Sequence, residues 1–541
     1  SDWSRIPEAA SIAKRVDDLI AHFDPKMPQS SLPELQKLYT AIDQLPGSEW
    51  RKYTLDRVRE LIFQAAGVYA EAIAVQTSVS HGDTLRFALN LIARNSADLQ
   101  LDQLTFNGQK NEVAAKLVQN KTFNRAGSMP IELHHSVTQP YWLTFPMEQG
   151  RFTVPDQQQI GLPENRPAFS VRLGLRINDL GLELDVPIVY KLTDPVRGEV
   201  FKPLIVRPMI ELGASEPVTF RLGQNQKTNL SVRLQSNQSL KDIAIQAKSG
   251  NKIFELGDVS NMGKGTILTR SKQTTVSPGV YSFQVKSATG SLFTQAGQFT
   301  RIEYDHIPEI HYFKMEPQRV VSIDLKRVGK RIGYIEGAGD KVADALEKMG
   351  FEVVLLGQKE LSKSNLSGFD AIVSGVRAYN THAWLNDAHD KLMQYVERGG
   401  NLIVQYNTSS QIGPVRAKIG PYPFNITRTR VTDESAVVTF LDPTHPALNF
   451  PNKLTAADFE DWIQERSIYH GADTSGRFQR PISMSDPGEK PEDGSLLVTR
   501  YGKGWFTYTG LALFRQLPAG IPGAYRLLAN LIALNASSKN E

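Results

Sequence analysis

Residues 331–356, RIGYIEGAGDKVADALEKMGFEVVLL, decide the fold of the C-terminal part of this chain. The apolar run at 332–336 predicts a short strand, and Gly337-Ala338-Gly339 after it predicts a tight turn. A helix over residues 341–349 and a second strand over 351–356 follow. A strand, a helix and a strand in this order indicate parallel pairing through a right-handed crossover.

The same alternation continues towards the end of the chain. Asp340 is placed to cap the first of the helices. The pattern predicts further strands at 371–374, 401–406 and 502–510, and further helices at 384–398 and 524–534. Strands that alternate with helices predict a doubly wound, flavodoxin-like α/β domain over residues 329–541.

The N-terminal part of the chain has the periodicity of helices. Apolar side chains recur at three- and four-residue steps from about residue 4 to residue 74. Ser48 is placed to cap the third helix, and Val68 and Ala72 continue its apolar pattern. We therefore predict a helical arm over residues 1–74.

From residue 75 the apolar residues alternate, with the period of two that strands have. Leu85, Phe87, Leu89 and Leu91 illustrate this pattern. Many such strands between turns rich in Gly, Pro and Asn predict β-sandwiches. We predict a β-sandwich over residues 75–212 and a smaller immunoglobulin-like β-sandwich over residues 213–305. A connector with one extended segment follows over residues 306–328.

The composition limits what this protein can do. Its 541 residues predict about three or four domains. Cysteine is absent, which removes disulfides, zinc–thiolate sites and cysteine nucleophiles together. The net charge of +4 is spread along the sequence without a basic stripe, so nucleic acid is not a predicted partner. The longest apolar runs are far shorter than the roughly 20 residues that span a bilayer.

The histidines do not form a recognisable metal motif. The densest group, Asp305, His306, Glu309 and His311, matches neither H-E-x-x-H nor a helical i, i+4 pair. An exposed linker is the favoured interpretation of this group over a metal site. We expect no metal ligands and no cofactor in this chain.

Candidate binding residues follow from the parallel sheet. In open parallel sheets, ligands bind beyond the carboxyl ends of the strands. This rule selects Glu336, Gly337, Arg377, Tyr379, Asn380, Tyr406, Asn407 and Thr408. The charged members, Glu336 and Arg377, can pair with each other or cap helices, they can line a binding cleft, or they can serve an active site. We assign no catalytic residue.

A second candidate is an acidic group around a tryptophan. On a helix, Asp458, Asp461, Trp462 and Glu465 would share one face. Carboxylates beside an aromatic ring suit sugar hydroxyls, and glycosidases also use pairs of carboxylates. A solvated helix face is the favoured alternative, so Asp461, Trp462 and Glu465 are binding candidates only.

Several motifs, in order along nearly the whole chain, resemble one known protein family. The chain is similar to the region that follows the deacetylase domain in large bacterial PIG-L (LmbE-like) family proteins. The motifs that carry the resemblance are Asp2-Trp3-Ser4-Arg5-Ile6, Pro140-Tyr141-Trp142-Leu143, Asp194-Pro195-Val196-Arg197-Gly198-Glu199, Tyr334 to Asp340, Gly375-Val376-Arg377-Ala378-Tyr379-Asn380, Gln405-Tyr406-Asn407-Thr408, Gly420-Pro421-Tyr422-Pro423-Phe424 and Phe514-Arg515-Gln516-Leu517-Pro518-Ala519-Gly520.

The resemblance implies a function for the complete protein. It would be a zinc-dependent deacetylase of N-acetylglucosamine-type sugars, usually exported, and hence periplasmic or extracellular. Its catalytic domain would precede residue 1 and hold zinc through a His-Pro-Asp-Asp type motif and a later histidine. The final domain looks like a class I glutamine amidotransferase domain, and the implied partners are a glycan or the deacetylase domain.

The chain departs from the family pattern in two respects. It contains no His-Pro-Asp-Asp motif, and Ala21-His22-Phe23-Asp24-Pro25 does not replace one. Glutamine hydrolysis of the amidotransferase class needs a thiolate, and there is no cysteine. After the strand at 402–405, where we expect a nucleophile turn, stand Tyr406, Asn407, Thr408 and Ser409, with no apparent histidine base.

Three hypotheses therefore remain. The first is a non-catalytic accessory region whose amidotransferase-like domain binds a glycan or docks the deacetylase domain. The second is a cryptic hydrolase in residues 329–541 that uses Glu336, Arg377 and a hydroxyl or carboxylate. The third is a purely structural spacer, which has no ligand.

Overall fold

The computed structural model describes residues 9–148, 150–222, 227–409, 412, 415 and 418–537. The motif at residues 2–6 and the first residues of the expected helical arm lie outside the described residues. The described chain is a mixed α+β protein, and its strands form several separate sheets. Three parts follow one another along the chain.

The first part contains three helices and ten strands. The Ser48 hydroxyl accepts a hydrogen bond from the amide of Arg51 at 3.1 Å, so it caps the third helix as predicted. The helices are α1 (Ala10–Ala21), α2 (Leu32–Asp43) and α3 (Glu49–Ala65). The strands are β1 (Val68–Ala74), β2 (Ser78–Ser80), β3 (Thr84–Ala93), β4 (Leu99–Phe106), β5 (Gln109–Lys116), β6 (Thr122–Pro130), β7 (Ser170–Ile177), β8 (Leu180–Asp194), β9 (Gly198–Pro203) and β10 (Ile205–Arg207).

Helix α3 is shorter than the sequence pattern predicts. Gly67 has a left-handed φ of 67°, the usual way for a helix to end, and the chain then enters strand β1. Strand β1 pairs with β3 and β8, so Val68 and Ala72 belong to a sheet. The helices also share one apolar core with this sheet, in which Ile42 and Ile62 pack together with Leu89 and other strand residues. The helices are thus part of a larger unit.

One continuous sheet forms most of the first part, in the order β5-β4-β7-β8-β1-β3-β6, with β9 beside β8. The rings of Phe87 in β3 and Phe106 in β4 meet edge to face, with centroids 5.5 Å apart. Four strand spacings of ~4.8 Å would separate these strands in a flat sheet. The sheet therefore curves, and its two ends face each other across the core.

The second part contains two packed sheets around one core. Their strand orders are β16-β13-β11-β18 and β12-β21-β17-β14-β15. The strands are β11 (Ile210–Ala214), β12 (Val218–Leu222), β13 (Thr228–Ser236), β14 (Leu240–Ser249), β15 (Lys252–Met262), β16 (Ile267–Thr274), β17 (Gly279–Ser287), β18 (Gln295–Ala296), β19 (Gln298–Ile302), β20 (Ile310–Lys314) and β21 (Gln318–Ile323).

The region expected to be a connector, residues 306–328, contains two of these strands. Strand β20 pairs with β19, and β21 lies between β12 and β17 in the five-stranded sheet. Gln318 is fully buried, and its amide nitrogen donates to the carbonyl oxygen of Asn229 at 2.8 Å. The second part therefore extends to Ile323. The charged residues around Glu309 resemble a linker in sequence, although the half-buried Glu309 and the buried His311 form ion pairs.

The third part is built on a six-stranded sheet of order β23-β22-β24-β25-β33-β32, in which only β32 is antiparallel to its neighbour. Its strands are β22 (Arg331–Ile335), β23 (Glu352–Leu355), β24 (Ala371–Ser374), β25 (Asn401–Gln405), β26 (Phe424–Ile426), β27 (Arg430–Val431), β28 (Thr439–Phe440), β29 (Ser467–Ile468), β30 (Gly471–Asp473), β31 (Ile482–Ser483), β32 (Leu496–Tyr501) and β33 (Gly504–Thr509). Its helices are α4 (Val342–Lys348), α5 (Gln358–Lys363), α6 (Ala378–Thr381), α7 (Leu385–Glu397), α8 (Pro446–Asn449), α9 (Leu513–Ala519), α10 (Pro522–Ile532) and α11 (Leu534–Ser537).

A long insertion separates β25 from β32. Within it, the short strands pair as β26 with β30, β27 with β29 and β28 with β31. The amide of Ile468 donates to the carbonyl oxygen of Gly510 at 2.8 Å, and the Tyr508 hydroxyl donates to the carbonyl oxygen of Tyr469 at 2.8 Å. These bonds hold the insertion against the carboxyl end of β33.

The second and third parts are joined through apolar contacts. Phe220 of β12 packs on Tyr525 of α10, with ring centroids 4.7 Å apart, and Val321 belongs to the core of the third part. The Arg319 guanidinium donates to the carbonyl oxygen of Ala519 at 3.1 Å. Among the described helices, none is both long enough and apolar enough to cross a membrane.

Candidate functional site

The carboxyl ends of β22, β24, β25 and β33 meet at one edge of the main sheet. Gly337, after β22, touches the turn after β24, because an added Cβ would stand 2.1 Å from the carbonyl oxygen of Val376. The amide of Ala338 donates to that same oxygen at 2.8 Å. The two turns that carry candidate residues are therefore in direct backbone contact.

Asp340 ties the same two turns through its carboxylate. One oxygen accepts from the amide of Val342 at 3.0 Å and from the Tyr334 hydroxyl at 2.5 Å, although the residue that caps the helix is Lys341 and not Asp340 as expected. The other oxygen accepts from the amide of Val376 at 3.0 Å. Burial and the nearby Asp340 charge raise the pKa of Tyr334 well above its ordinary value. This carboxylate is a structural tie at the sheet edge.

Arg377 occupies a sharp turn between strand β24 and helix α6. Its backbone is left-handed, with φ of 59° and ψ of 21°, and its amide donates to the carbonyl oxygen of Tyr406 at 2.8 Å. A strained strand-to-helix turn of this kind presents the nucleophile in α/β-hydrolases. We expected a nucleophile turn after β25, but residues 406–409 have no positive φ, so the chain does not make a turn of this kind there. The turn geometry therefore falls on an exposed arginine.

Three aromatic side chains, Tyr406, Tyr469 and Phe514, form what we call the aromatic platform. The rings of Tyr406 and Tyr469 stack with centroids 5.7 Å apart and an angle of 14°. Tyr406 also contacts Phe514, at 5.3 Å between centroids. All three side chains are half-buried, so each ring has one region in contact with protein and another open to solvent.

An arginine and its partners border the aromatic platform. The Nε of Arg515 donates to Glu465 Oε1 at 2.8 Å, and its Nη1 donates to Gln464 Oε1 at 2.6 Å. The same guanidinium lies over the ring of Phe514, 4.9 Å from its centroid. Glu465, one of the predicted acidic residues, thus lies beside the platform. Arg515 and Gln464, which donate or accept hydrogen bonds, lie next to it.

The charges around Tyr406 are mixed. Burial raises the pKa of its hydroxyl, while the positive charges of Arg377 and Arg515 act in the opposite direction. Glu465 raises the pKa further. Two guanidinium groups and one carboxylate therefore act on Tyr406, although Glu465 was expected in a separate acidic group around Trp462.

Four other candidates are buried and hold the turns in place. The Tyr379 amide donates to Asn407 Oδ1 at 2.9 Å, and the Thr408 amide donates to Asn380 Oδ1 at 2.9 Å. All four side chains are less than a tenth exposed. Burial also raises the pKa of the Tyr379 hydroxyl well above its ordinary value. These four residues position the turns after β24 and β25 but are not accessible to a ligand. A ligand at this edge would contact their more exposed neighbours, Arg377 and Tyr406.

Glu336 and Arg377 are not an ion pair. Both are exposed, and no salt bridge joins these two described side chains. The carbonyl oxygen of Glu336 accepts a hydrogen bond from His382 Nε2 at 3.0 Å. One of the roles considered for Glu336 and Arg377 was an ion pair with each other, and the structure does not have it.

The expected helix face around Trp462 does not form. A single 3₁₀ turn, Ala456–Phe459, is followed by Asp461 with a left-handed φ of 58°, which breaks helical periodicity. Trp462 is buried, and its indole donates to the carbonyl oxygen of Asp458 at 3.1 Å. Trp462 therefore cannot offer its face to a sugar, and Asp461 lies away from the expected row.

The strand-end rule, as applied to the sequence, selected neither Tyr469 and Phe514 of the platform nor Arg515 beside it. Phe514 and Arg515 stand shortly after strand β33, in one of the motifs that carry the family resemblance. Applying the strand-end rule to β33 as well as to the earlier strands would have found them. Tyr469 gives no comparable signal, because it enters the site from the insertion.

A buried serine–histidine pair, Ser467 and His470, lies next to Tyr469 in the chain. His470 Nε2 and the Ser467 hydroxyl are 2.7 Å apart, and both residues are almost fully buried. Burial lowers the pKa of His470 to about 4, so the ring is neutral at physiological pH. A substrate cannot reach this hydroxyl without opening the fold, and we interpret the pair as structural. Across the described residues, no group of three His, Asp or Glu side chains is arranged to hold a metal.

Of the group considered above as an exposed linker, Asp305 and His306 are exposed, whereas Glu309 and His311 belong to an ion-pair cluster. The Glu309 carboxylate accepts from Lys202 at 2.8 Å and from His311 at 2.6 Å, and it also contacts Arg301. His311 is buried, and Lys202 comes from strand β9 of the first part. This cluster therefore connects the first and second parts of the chain.

Replacement of Glu309 by glutamine should destabilise this junction. Burial alone would raise the pKa of Glu309, but hydrogen bonds from Lys202, His311 and Arg301 outweigh it and bring the pKa to about 2. Because the folded pKa is lowered, the stabilisation is present above the unfolded pKa of ~4.3 and is lost as the pH falls towards 2. We expect Glu309→Gln to lower the free energy of unfolding by about 2 kcal/mol at pH 7.

The measurement is urea denaturation between pH 7 and pH 3. The acid-dependent loss of stability should be smaller in Glu309→Gln than in the wild type. Glu303→Gln is the matched control, because Glu303 contacts the same Lys202 and Arg301 but is 53% exposed. If both substitutions changed the free energy of unfolding equally, the smaller exposure of Glu309 would not explain its contribution to stability.

No protein-family model matches the chain, and no curated protein matches it. Among solved structures, red sea bream transglutaminase is 8% identical over 51% of this chain and 34% of its own, with a TM-score of 0.23. SGBP-B of a Bacteroides ovatus mixed-linkage glucan utilization locus, in complex with a mixed-linkage heptasaccharide, is 10% identical over 48% of this chain and 47% of its own, with a TM-score of 0.13. The chain thus spans about a third and about half of these proteins, and likenesses this weak support no conclusion.

Proposed function

We propose that this chain is a non-catalytic accessory region of a PIG-L family carbohydrate N-deacetylase, and that its aromatic platform binds a glycan. In this proposal the second part is an immunoglobulin-like module and the third is a flavodoxin-like, amidotransferase-like domain. Zinc would be held only by a deacetylase domain outside this sequence. The periplasmic or extracellular location implied by the family belongs to the same proposal.

The observation that carries the proposal is the residue at the strand-to-helix turn. An amidotransferase needs a thiolate that attacks the amide carbon, and a turn like that of Arg377 is suited to present one. A guanidinium donates hydrogen bonds but cannot form an acyl intermediate. With Arg377 in the left-handed position and no cysteine in the sequence, the turn is suited to bind and not to cleave.

The platform has the components of a carbohydrate site. The faces of sugar rings carry C–H groups that pack on aromatic rings, while the hydroxyls at their edges need hydrogen-bond partners. Tyr406 and Phe514 supply rings, and Arg377, Arg515 and Glu465 supply donors and acceptors beside them. This combination favours a glycan over a purely structural spacer.

Loss of the Tyr406 ring should weaken glycan binding. We expect Tyr406→Ala to reduce the affinity for N-acetylglucosamine oligosaccharides about tenfold, or ~1.4 kcal/mol, because the platform loses its central ring. Tyr406→Phe, which keeps the ring, should retain most of the affinity. Isothermal titration calorimetry with chitotetraose measures both variants.

Tyr53→Ala is the control, because Tyr53 is an exposed tyrosine of α3 in the first part. Binding that is equal in the wild type, Tyr406→Ala and Tyr53→Ala would refute the platform as the glycan site. Saturable binding of a separately produced deacetylase domain, together with no binding of any oligosaccharide, would favour domain docking. Turnover of an acyl or glycosyl substrate that disappears in Arg377→Ala would favour the cryptic hydrolase.

A further inference from the structure

The segment between strands β6 and β7, residues 131–169, is a long excursion with little regular structure. It contains two short 3₁₀ turns, Tyr141–Leu143 and Gln157–Gln159. The first turn includes most of the Pro140-Tyr141-Trp142-Leu143 motif, which the proposed function does not use. Connections of this length in compact domains are uncommon, and they are usually either functional loops, such as binding loops, or linkers.

Hydrogen bonds join the first turn to the part of the segment that follows the second turn. Asn165 Oδ1 accepts from the amide of Tyr141 at 2.9 Å, and Asn165 Nδ2 donates to the carbonyl oxygen of Gln139 at 2.7 Å. The Tyr141 hydroxyl donates to the carbonyl oxygen of Leu162 at 3.2 Å. These bonds join positions more than twenty residues apart in sequence, so they close the segment into a loop whose two ends are tied together.

Residues of this loop line a cavity of about 210 Å³, which we call the loop cavity. It is smaller than the ~300–1,000 Å³ pockets that enclose drug-sized ligands, and it suits one sugar ring. Tyr141 and Leu162 give it an apolar wall. The other lining groups are planar and polar, and include the side chains of Asp156, Gln158 and Arg166.

Part of this polar lining is free to bind a ligand. Asp156 accepts from the Gln158 amide at 3.0 Å and from Gln159 Nε2 at 3.1 Å, and each oxygen keeps capacity for another donor. The Gln158 side-chain amide and the Arg166 guanidinium have no hydrogen-bond partner within the described ranges. The cavity thus offers donors and acceptors beside a ring.

The charges indicate a neutral ligand. One carboxylate, Asp156, and one guanidinium, Arg166, balance each other in the lining. A divalent cation needs several oxygen ligands, usually with more than one carboxylate, and an anion would have to lie beside Asp156. A neutral polyol satisfies both charged groups through its hydroxyls, and its C–H face can rest on Tyr141.

We propose that the loop cavity binds one neutral sugar residue and is a second carbohydrate site, separate from the aromatic platform. Tyr141 and Leu162 pack on the sugar face. Gln158, Arg166 and Asp156 bind its hydroxyls. The proposal rests on the cavity and its lining, so it does not depend on ligand binding at the strand ends.

The test uses the full chain carrying Tyr406→Ala, in which binding at the platform is expected to be about tenfold weaker. Saturation-transfer NMR titrations with glucose and N-acetylglucosamine should give saturable binding, whereas glycerol, which has no ring, should not saturate. Adding Gln158→Ala or Arg166→Ala should weaken the sugar binding about tenfold. Both residues are exposed, so circular dichroism should show an unchanged fold.

Gln157→Ala is the matched control, because Gln157 is an exposed glutamine in the same turn but does not line the cavity. It should bind sugar as the parent chain does. No saturable sugar binding in the Tyr406→Ala chain would overturn the proposal. Equal binding by the parent, Gln158→Ala and Arg166→Ala would overturn it too, because the sugar would then lie elsewhere. Such a result would leave the platform proposal untouched.

Discussion

Replacing Gly337 by alanine should lower the free energy of unfolding by about 3 kcal/mol and weaken ligand binding at the strand ends. The added Cβ would stand 2.1 Å from the carbonyl oxygen of Val376 and 2.9 Å from the carbonyl carbon of Gly375. Backbone atoms cannot rotate away as a flexible side chain can, so the turns after β22 and β24 must separate. The separation would stretch the 2.8 Å bond from Ala338 to Val376.

The same displacement should reach the platform. Val376 is followed directly by Arg377, whose amide bonds to the carbonyl oxygen of Tyr406. Moving the turn changes the position of Arg377 relative to the Tyr406 ring. We therefore expect Gly337→Ala to lose glycan affinity even at temperatures where it remains folded.

Gly368→Ala is the control for the loss of a glycine. Gly368 lies in the same part of the chain, has no left-handed φ, and its added Cβ would be 3.6 Å from the flexible Arg331 guanidinium. Alanine there should change stability by less than about 1 kcal/mol, through the entropy of the unfolded chain. Urea denaturation measures both variants, and a Gly337→Ala protein as stable as Gly368→Ala would contradict the close approach of the two turns.

The core of the α/β domain could be predicted from sequence because its signals are local. The run from Arg331 to Leu356 contains its own strands, turn and helix, and the structure has β22, α4 and β23 there. The carboxyl-end rule then placed Arg377 and Tyr406 in one region, since it depends only on strand direction. Both residues lie at the site.

Other features depend on contacts that are distant in sequence. Val68 and Ala72 fit a helix by spacing, but a left-handed Gly67 and pairing with β3 and β8 make them a strand. Tyr469 reaches the platform because hydrogen bonds across the insertion bring it to β33. Glu309 has the sequence context of a linker, and only its bond to Lys202, far away in the chain, shows that it belongs to a junction between two parts.

Replacing Arg466 by alanine should lower the free energy of unfolding by about 3 kcal/mol. Arg466 is buried, its Nε donates to the carbonyl oxygen of Ala436 at 3.1 Å, and Nη1 donates to the carbonyl oxygen of Phe459. Its guanidinium lies 5.5 Å from the centroid of the Trp462 ring. Alanine would leave both carbonyl groups without these donors and would open a cavity against the tryptophan.

Arg466 also affects the site, because it fixes the segment that carries Glu465 and Tyr469. Its amide donates to the carbonyl oxygen of Val431, and its own carbonyl oxygen accepts from Ala512, both at 2.9 Å. Burial lowers the pKa of the guanidinium, yet the group stays protonated at neutral pH and keeps its donors. Loss of the side chain should therefore loosen the insertion where it meets β33.

The control for this prediction is Arg428→Ala, since Arg428 is an exposed arginine of the same insertion. It should change stability by less than about 0.5 kcal/mol, as surface substitutions usually do. Arg466→Lys should lie between the two, because one ammonium group cannot reproduce the two-sided contact of a planar guanidinium. Chemical denaturation together with chitotetraose titration tests both consequences. If Arg466→Ala were destabilised but bound the oligosaccharide normally, the glycan would not depend on Glu465 and Tyr469, and the binding surface would have to be reduced to Tyr406, Phe514 and Arg377.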